Sequence, residues 1–336
     1  MSGDEIRVTE QALRTFCIGV LERLGVSTKD AEVWSQVIVE TSLRGVESHG
    51  ILVLPMYAEM LEAGGIRVDA PLEVISDRGP TVLLDGGHGI GAVVGDHAMD
   101  LAIERARQFG VSFVTVRNSN HFGMAGFYAA KSLEHDMIGM AFTNAGPAIA
   151  AWGGRSKVIG SNALAGAVPA GAECPIIFDA AVGASAAAKI FVAAEKGERI
   201  PTDWMIDRDG QPTDDPQALF AGGVLLPFGK HKGSGIGVIV DVLTGVLSGG
   251  LFSTSVVGFG RDMSEPLDVC HSFCALDIER FIPLDQFKSR MDEMIGNIKK
   301  SEPLGEDGRI YLPGEKGFLT REEGRVKNST HPRFLL

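Results

Sequence analysis

Two short polar segments carry residue types that can exchange a proton with a substrate oxygen. The first is Ser-His-Gly at residues 48–50, and the second is Arg-Asn-Ser-Asn-His-Phe-Gly at residues 117–123. An unperturbed imidazole titrates near neutrality, so it can protonate a developing alkoxide or accept a proton from a hydroxyl group. Ser48, His49 and His121 are therefore the predicted catalytic residues.

Both segments also have an ordinary structural interpretation. A capping serine beside a surface histidine would explain residues 48–50, and a polar turn would explain residues 117–123. The second segment favours a functional site more strongly, because a turn rarely needs two asparagines beside a histidine. An amide there can fix the tautomer of His121 or hold a polar group, and we expect Asn120 to contact substrate.

A metal-dependent hydrolase is an alternative from a different functional class. It would use His49, His121, His231 and His271, but no HxxxH motif or His/Asp pair has the spacing of metal ligands. Cys270, His271 and Cys274 also lie close in sequence, yet a zinc site would need a fourth ligand at a suitable distance. We expect no metal.

The spacing of apolar residues predicts the elements that must position the polar segments. Helices are expected at both ends of the chain and strands in the middle, so the two ends should pack together. An apolar helix at residues 234–248 is expected to be buried. The predicted helices are 9–24, 29–44, 54–63, 92–109, 125–133, 184–196, 234–248 and 284–300, and the predicted strands are 81–85, 111–116, 137–143, 176–178 and 273–278.

A glycine-rich turn after a predicted strand tests for a Rossmann dinucleotide site. Residues 84–95 read Leu-Asp-Gly-Gly-His-Gly-Ile-Gly-Ala-Val-Val-Gly. A turn starting at Gly89 and Gly91 would need glycine at position 94, which is valine, and no acidic residue ends the next strand. The segment therefore predicts a tight strand-to-helix turn and a fold without a Rossmann fingerprint.

Composition restricts the class of partner. The 336 residues carry a formal net charge of −12, and we find no basic stripe, which argues against nucleic acid. The longest apolar runs are too short and too rich in glycine to cross a membrane. The N-terminus does not resemble a signal peptide and cysteines are sparse, so we expect a cytoplasmic protein with a small-molecule substrate.

Six motifs in register give the chain a family resemblance. They are Ser-His-Gly at 48–50, Asn-Ser-Asn-His-Phe-Gly at 118–123, Trp-Gly-Gly at 152–154, Ile-Gly-Ser-Asn at 159–162, Lys-Gly at 232–233 and Pro-Gly-Glu at 313–315. In order and spacing they resemble the malate/L-lactate dehydrogenase family of the second type. That family includes ureidoglycolate and sulfolactate dehydrogenases, 2,3-diketogulonate reductase and Δ1-piperideine-2-carboxylate reductases.

The resemblance implies an NAD- or NADP-dependent homodimer with a non-Rossmann cofactor site. In some members the histidine matching His121 is the proton acceptor, and in others the residues matching Ser48 and His49 form a relay. The implied substrate-binding residue is Ser161, and Arg44, Asn120 and Lys189 are further candidates for substrate binding. Implied cofactor-binding residues are Gly123, Ala125, Gly126, Asn144, Asp179, Ala180, Ala181, Lys232, Pro313, Gly314 and Glu315.

Three departures from the family pattern bear on substrate. The arginines that usually follow Ser-His-Gly and clamp a carboxylate are Val53 and Met56 here. Valine cannot replace a bidentate guanidinium, so either the substrate lacks a carboxylate there or another cation takes over. The candidate cations are Arg44, Arg117, Lys189 and Lys232. The usual Asp-Met-Ala-Thr-Ser is Asp-Ala-Ala-Val-Gly at 179–183, which predicts a more apolar pocket, and Lys189 resembles the hydroxy-acid branch.

The sequence therefore predicts an α/β fold of the mixed α+β type, with a largely antiparallel or mixed sheet and terminal helices packed together. The predicted lobes are 1–75 with 280–336 (helical), 76–125 with 225–279 (central sheet) and 126–224 (cofactor-binding). The expected function is hydride transfer between nicotinamide and a small 2-keto or 2-hydroxy acid. Two alternatives remain open, an NADPH-dependent cyclic imine reductase or amino-acid dehydrogenase, and a non-catalytic binding homologue.

Overall fold

The fold is described from a computed structural model, which covers residues 8–258, 262–305 and 308–326. Its strands come mostly in runs separated by helices, the longest run covering residues 137–181. Numbered along the chain, they are β1 (Glu73–Asp77), β2 (Thr81–Asp85), β3 (Val111–Ser119), β4 (Met137–Thr143), β5 (Pro147–Ala150), β6 (Lys157–Gly160), β7 (Ala163–Val168), β8 (Ile176–Ala181), β9 (Met205–Ile206), β10 (Val224–Leu225) and β11 (Val269–Asp277).

Seven strands form one mixed sheet in the order β1-β2-β3-β11-β4-β7-β8. Only β2 and β3 run parallel, because α4 connects them, and all other neighbours are antiparallel. The predicted mixed, largely antiparallel sheet is confirmed. This strand order places the end of β3 beside the start of β11 and the end of β4.

The helices surround this sheet. Thr9 and Ser27 accept backbone hydrogen bonds at the starts of the first two. The helices are α1 (Glu10–Arg23), α2 (Thr28–Leu43), α3 (Leu54–Ala63), α4 (Gly91–Phe109), α5 (Ala125–Lys131), α6 (Ala187–Lys196), α7 (His231–Asp241), α8 (Leu284–Lys299) and α9 (Glu315–Val326).

The two faces of the large sheet are covered differently. One face packs against α4 and α5, with α1, α2 and α3 beyond them, and holds the main apolar core. We call it the helical face. The other face packs against α7 and the π-helical turn Val242–Val246 that continues it, and we call it the α7 face. A second sheet, in the order β6-β5-β10-β9, has its own small core around Ile149 and Met205.

The terminal helices meet only in part. In α9, Arg321 pairs with Glu40 of α2 at 3.1 Å. In α8, Asp292 instead accepts backbone hydrogen bonds from residues 171–173. The packing of the C-terminal end on the N-terminal helices thus involves α9, which the apolar spacing did not predict. The three lobes and their boundaries stay a prediction.

The predicted burial of the helix at 234–248 is wrong. The chain there forms α7 and the π-helical turn, and one side of this helical run stays exposed. Val238, Ile239, Val242 and Val246 retain 49%, 57%, 43% and 49% of their surface. An apolar sequence alone does not distinguish a core helix from one whose apolar side lies on the surface of a single chain.

Candidate active site

The loop after β3 holds His121 in place because the residue before it is hydrogen-bonded to other loops of the fold. The Asn120 side chain is buried; its Nδ2 donates to the carbonyl oxygens of Gly65, His88 and Gly89, and its Oδ1 accepts from the Leu267 backbone N–H. These four backbone partners lie in other loops, so the amide fixes the backbone just before His121. The predicted contact of the Asn120 side chain with substrate is therefore wrong, because its hydrogen-bonding capacity is used within the fold.

The buried imidazole of His271 packs against the same loop. His271, in β11, stacks on Phe122, with the ring centroids 4.3 Å apart and an angle of 3° between the ring planes. Its ring nitrogens lie 2.9 Å from Thr143 Oγ1 and 3.0 Å from Ser119 Oγ. Burial lowers the pKa of His271 to about 3, so this ring is neutral and structural.

His49 is brought beside His121 by the turn between α2 and α3. The ring centroids of the two histidines lie 5.3 Å apart. Residue 50 is glycine because a Cβ there would collide with Ser42, whose hydroxyl accepts from the Ile51 backbone N–H. Ser48 Oγ lies 2.9 Å from Nδ1 of His49. Two motifs separated by about 70 residues of sequence therefore form one imidazole pair.

The surroundings of both rings favour their neutral form. Burial lowers the pKa of His49 below 6.5. Burial also lowers the pKa of His121 well below 6.5, and nearby His49 and His271 add to that effect. Both rings nevertheless keep some accessible surface. We call the partly enclosed space beside these two rings the cleft, because a substrate can reach them only there.

The register of the sheet places other predicted site residues at the edge of the sheet where β3, β4 and β8 end. Thr143, at the end of β4, pairs with Ala163, and Ala163 pairs with Ala181 at the end of β8. Ser161 comes two residues before Ala163, so it lies at this edge and is partly exposed. His271 pairs with Thr143 in the neighbouring strand, which connects this row to the loop of His121.

A second group of predicted residues lies at β8 on the helical face. Asp179 Oδ2 accepts from the Gly126 backbone N–H at 2.7 Å. Burial raises the pKa of Asp179 to about 6, although that hydrogen bond and the nearby Arg44 guanidinium oppose the rise. The loop at 313–314 packs against Ile177, whose backbone N–H donates to the Pro313 carbonyl oxygen at 3.2 Å.

The chain matches a known family along nearly its whole length. A model of the malate/L-lactate dehydrogenase family matches residues 8–330. The chain belongs to the malate/L-lactate dehydrogenase family. It is 41% identical over 324 residues to a malate dehydrogenase of Pyrococcus abyssi, covering 94% of this chain and 88% of that protein.

Solved structures of the family have the same fold. The sulfolactate dehydrogenase of Methanocaldococcus jannaschii matches with a TM-score of 0.89 at 35% identity, over 95% of this chain and 91% of that one. The Δ1-piperideine-2-carboxylate reductase of Pseudomonas syringae matches with a TM-score of 0.87 at 26% identity, over 96% and 95%. The predicted family, fold class, oxidoreductase activity and use of NAD or NADP are confirmed.

Some residues implied by the malate/L-lactate dehydrogenase resemblance have other roles in the structure. The Asn144 side chain donates to the Leu251 carbonyl oxygen and accepts from the Cys270 N–H, so this side chain joins two loops and cannot bind cofactor as predicted. Glu315 accepts from Leu312 N–H and pairs with Arg309, so its carboxylate stabilises its own loop.

Ala180 and Lys232 lie on the α7 face rather than beside Asp179. Successive residues of a strand point to opposite faces, so Asp179 and Ala180 diverge. Leu164, which pairs with Ala180, lines a cavity of about 480 Å³ together with Lys232. Neither His49 nor His121 lines this cavity. The implied cofactor residues thus form two groups, one on each face of the sheet.

The structure adds one residue that the sequence did not single out. Tyr57, on α3, is only 1% exposed, and its hydroxyl lies 2.6 Å from Nδ1 of His121. In sequence it reads as an apolar core position of an amphipathic helix. Tyr57 follows His49 by eight residues, which is about two turns of an α-helix. This spacing is only a weak signal of a shared site unless the position of His121 is known.

The metal alternative finds no ligand set in the structure. Within residues 8–258, 262–305 and 308–326, no three His, Cys, Asp or Glu side chains are grouped as metal ligands. Two of the four histidines it required are accounted for, because His271 is buried against Phe122 and His121 is bonded to Tyr57. The dehydrogenase family and the imidazole pair together favour hydride-transfer chemistry.

Proposed function

We propose that this enzyme interconverts a small 2-hydroxy acid and its 2-keto acid, with the imidazoles of His49 and His121 handling the proton of the substrate oxygen. The observation that carries the proposal is the pair itself, two neutral imidazoles 5.3 Å apart in a cleft. Neutral imidazole is the form that accepts a proton from an alcohol, and either ring can return it in the reverse reaction.

The residues on the helical face of β8 fit a nicotinamide dinucleotide. Asp179 and Ala181 keep solvent-accessible surface along β8, an edge strand of the sheet, although the protein packed around the Asp179 carboxylate is dense enough to raise its pKa. The small side chain of Ala181 leaves room beside Asp179, and Arg44 supplies a cation near that carboxylate. When bound, the nicotinamide supplies or accepts the hydride. We propose that Gly123, Ala125, Gly126, Asp179, Ala181, Pro313 and Gly314 hold the cofactor from this side.

The protein's own groups then act on the substrate oxygen. In alcohol oxidation, an imidazole of the pair takes the hydroxyl proton as the carbinol carbon loses its hydride. Ser48 holds Nδ1 of His49, so Nε2 is the nitrogen that exchanges a proton. Enclosure by protein excludes bulk water from the rings and strengthens their hydrogen bonds to a developing charge on the oxygen.

Substrate charge must be met by cations other than the usual arginines. Val53 and Met56 occupy those positions and pack against the apolar core. The Arg44 guanidinium forms an ion pair with Glu40, with an N–O distance of 2.9 Å, and it also lies near Asp179. Lys189 lies near the start of α6, shortly after β8, and is exposed. We propose that Arg44 or Lys189 meets the carboxylate and that Ser161, at the same sheet edge as Thr143, binds a substrate oxygen.

The proposal is tested by following NADH and NADPH absorbance with lactate, malate and sulfolactate, the corresponding keto acids, and cyclic imines. We expect turnover of at least one hydroxy-acid and keto-acid pair. Faster reduction of a cyclic imine would instead support the reductase alternative, since a reductase of that kind shares the fold at 26% identity. Cofactor binding without any turnover would support a binding homologue.

Activity should depend on pH through these imidazoles. Because burial lowers the pKa of both His49 and His121 below 6.5, the proton-accepting neutral form already predominates above that value. We therefore expect kcat/KM for alcohol oxidation to rise with pH and level off below pH 6.5, and kcat/KM for keto-acid reduction to fall over the same interval. A limb centred above about pH 7 in oxidation would contradict this assignment.

We further propose a homodimer formed through the exposed apolar residues of α7 and its π-helical turn. Contiguous apolar surface of this kind on a single chain marks an interaction site, and a second copy offers the same surface. Val246→Asp should weaken dimerisation by about 100-fold or more, because it buries an unpaired charge. Sedimentation velocity would measure this, with Phe16→Asp on the exposed side of α1 as control. An unchanged sedimentation coefficient for Val246→Asp would contradict the proposed interface.

We also propose that the protein works in the cytoplasm. All four cysteines are free thiols, and two of them, Cys17 and Cys270, are buried. Such a pattern fits a reducing compartment. Across the described residues, helices long and apolar enough to cross a membrane are absent.

A further inference from the structure

We propose that Tyr57 is a positioning residue that holds His121 in the tautomer with its proton on Nε2, which makes His121 the hydrogen-bond donor of the pair and leaves proton exchange to His49. This division of roles rests on the proposed function. It is carried by the order of donors along a buried chain from Trp34 through Tyr57 to His121.

The chain begins at a group that can only donate. Trp34 of α2 and Tyr57 of α3 are each 1% exposed, and their rings pack 4.8 Å apart. The indole N–H is placed to donate toward the Tyr57 oxygen, and this slightly opposes the rise of the tyrosine pKa that burial causes. An indole N–H has no lone pair to offer in return, so the tyrosine proton must point elsewhere.

The second link fixes the direction of the bond to His121. The Tyr57 hydroxyl lies 2.6 Å from Nδ1 of His121. Among the described residues, Nδ1 of His121 is the acceptor that lies at the buried Tyr57 hydroxyl, and a buried O–H needs an acceptor, so this O–H donates to Nδ1. A nitrogen that accepts a hydrogen bond carries no proton, and the neutral ring then has its proton on Nε2.

The neutral state of His121 follows from its buried surroundings and not from the series of side chains Trp34, Tyr57 and His121. Burial holds its pKa well below 6.5, with His49 and His271 adding to the effect. Burial raises the pKa of Tyr57, so the phenol keeps its proton and remains a donor. Neutral His121 with a proton on Nε2 can polarise a carbonyl oxygen by donation, but it cannot accept a proton at that nitrogen.

The proton balance is then completed by His49. In keto-acid reduction, the carbonyl oxygen takes one proton from protonated His49, which becomes neutral, while a bound reduced nicotinamide would supply the hydride to the carbonyl carbon. His121 keeps its own proton and stabilises the developing charge on the oxygen. Ser48, 2.9 Å from Nδ1 of His49, orients the ring that exchanges the proton.

The experiment combines spectroscopy and kinetics on the full chain carrying ¹⁵N-labelled histidine. In the wild type, the ¹⁵N NMR spectrum should show His121 protonated on Nε2 and unprotonated on Nδ1. In Tyr57→Phe, which removes only the hydroxyl, the two tautomers should mix, and kcat should fall by about 10- to 100-fold while the KM for cofactor stays within about twofold.

Two further variants separate positioning from packing. Trp34→Phe keeps the Tyr57 hydroxyl but removes the donor before it, so it should also mix the tautomers of His121. Tyr311→Phe, an exposed tyrosine on the surface, should change neither the spectrum nor kcat. A wild-type proton on Nδ1 of His121, or a Tyr57→Phe enzyme with kcat within about twofold of wild type, would overturn the inference. The spectrum does not require turnover, so a protein with the Nε2 tautomer and no active substrate would refute the proposed function alone.

Discussion

His121→Ala is expected to lower kcat by about 10²- to 10⁴-fold, the range typical for loss of a positioned acid, base or donor in the transition state. The side chain ends in the cleft beside His49, and alanine leaves nothing to meet the charge that develops on the substrate oxygen. Binding of NADH or NADPH, measured by fluorescence titration, should change little, because the proposed cofactor residues lie along β8 and in the loops facing it.

His97→Ala serves as the matched control, since His97 is an exposed histidine on α4 that lies outside the proposed site. Its kcat should equal that of the wild type. Normal turnover by His121→Ala would show that the catalytic assignment is wrong. A loss of cofactor affinity as large as the loss of kcat would show that His121 binds the cofactor rather than acting on the substrate oxygen.

Gly91→Ala is expected to cause the second large loss, although residue 91 is remote from any reacting atom. Gly91 begins α4, and a Cβ there would collide with the backbone carbonyl oxygens of Asn120 and His121. The loop must move to admit the methyl group, and a displacement of about 1 Å in a catalytic group can cost about 10²-fold in rate. The overpacking should also lower the free energy of unfolding by about 1–3 kcal/mol.

Urea unfolding and steady-state kinetics would measure both effects together. Gly19→Ala is the control, since Gly19 lies within α1 and its Cβ would meet no atom within 4 Å. It should stabilise the protein by about 0.5–1 kcal/mol and leave kcat unchanged. If Gly91→Ala keeps wild-type kcat, the position of the His121 loop does not depend on contact with α4.

The motifs alone were sufficient to predict the family and the mixed sheet, and they singled out the two histidines that the structure brings side by side. Ser-His-Gly and Asn-Ser-Asn-His-Phe-Gly combine residue types that local structure rarely requires together. Periodicity also placed α1, α2 and α4 within a few residues of their observed bounds. It failed at residues 234–248, because the apolar pattern is the same for a helix buried in the core and for one whose apolar side lies exposed on a single chain, as it does in α7 and its π-helical turn.

Local sequence could not assign the amides and the tyrosine. Asn120 and Asn144 look like ligand-binding residues, yet their partners are backbone groups distant in sequence, Leu267 and Leu251 among them. Tyr57 looks like a core residue, yet its hydroxyl bonds His121, which follows it by 64 positions. Whether a polar side chain binds a ligand or the protein depends on its neighbours in space.

The sequence by itself determined which chemical groups are present and which segments form helices and strands, because these depend on residue type and on contacts within a few positions. Only the tertiary structure decided which imidazoles meet, which nitrogen of His121 faces Tyr57, and which face of β8 each implied cofactor residue occupies. Those outcomes depend on strand register and on the packing of α3 and α4 against the loop after β3, and both are set by contacts between residues far apart in the chain.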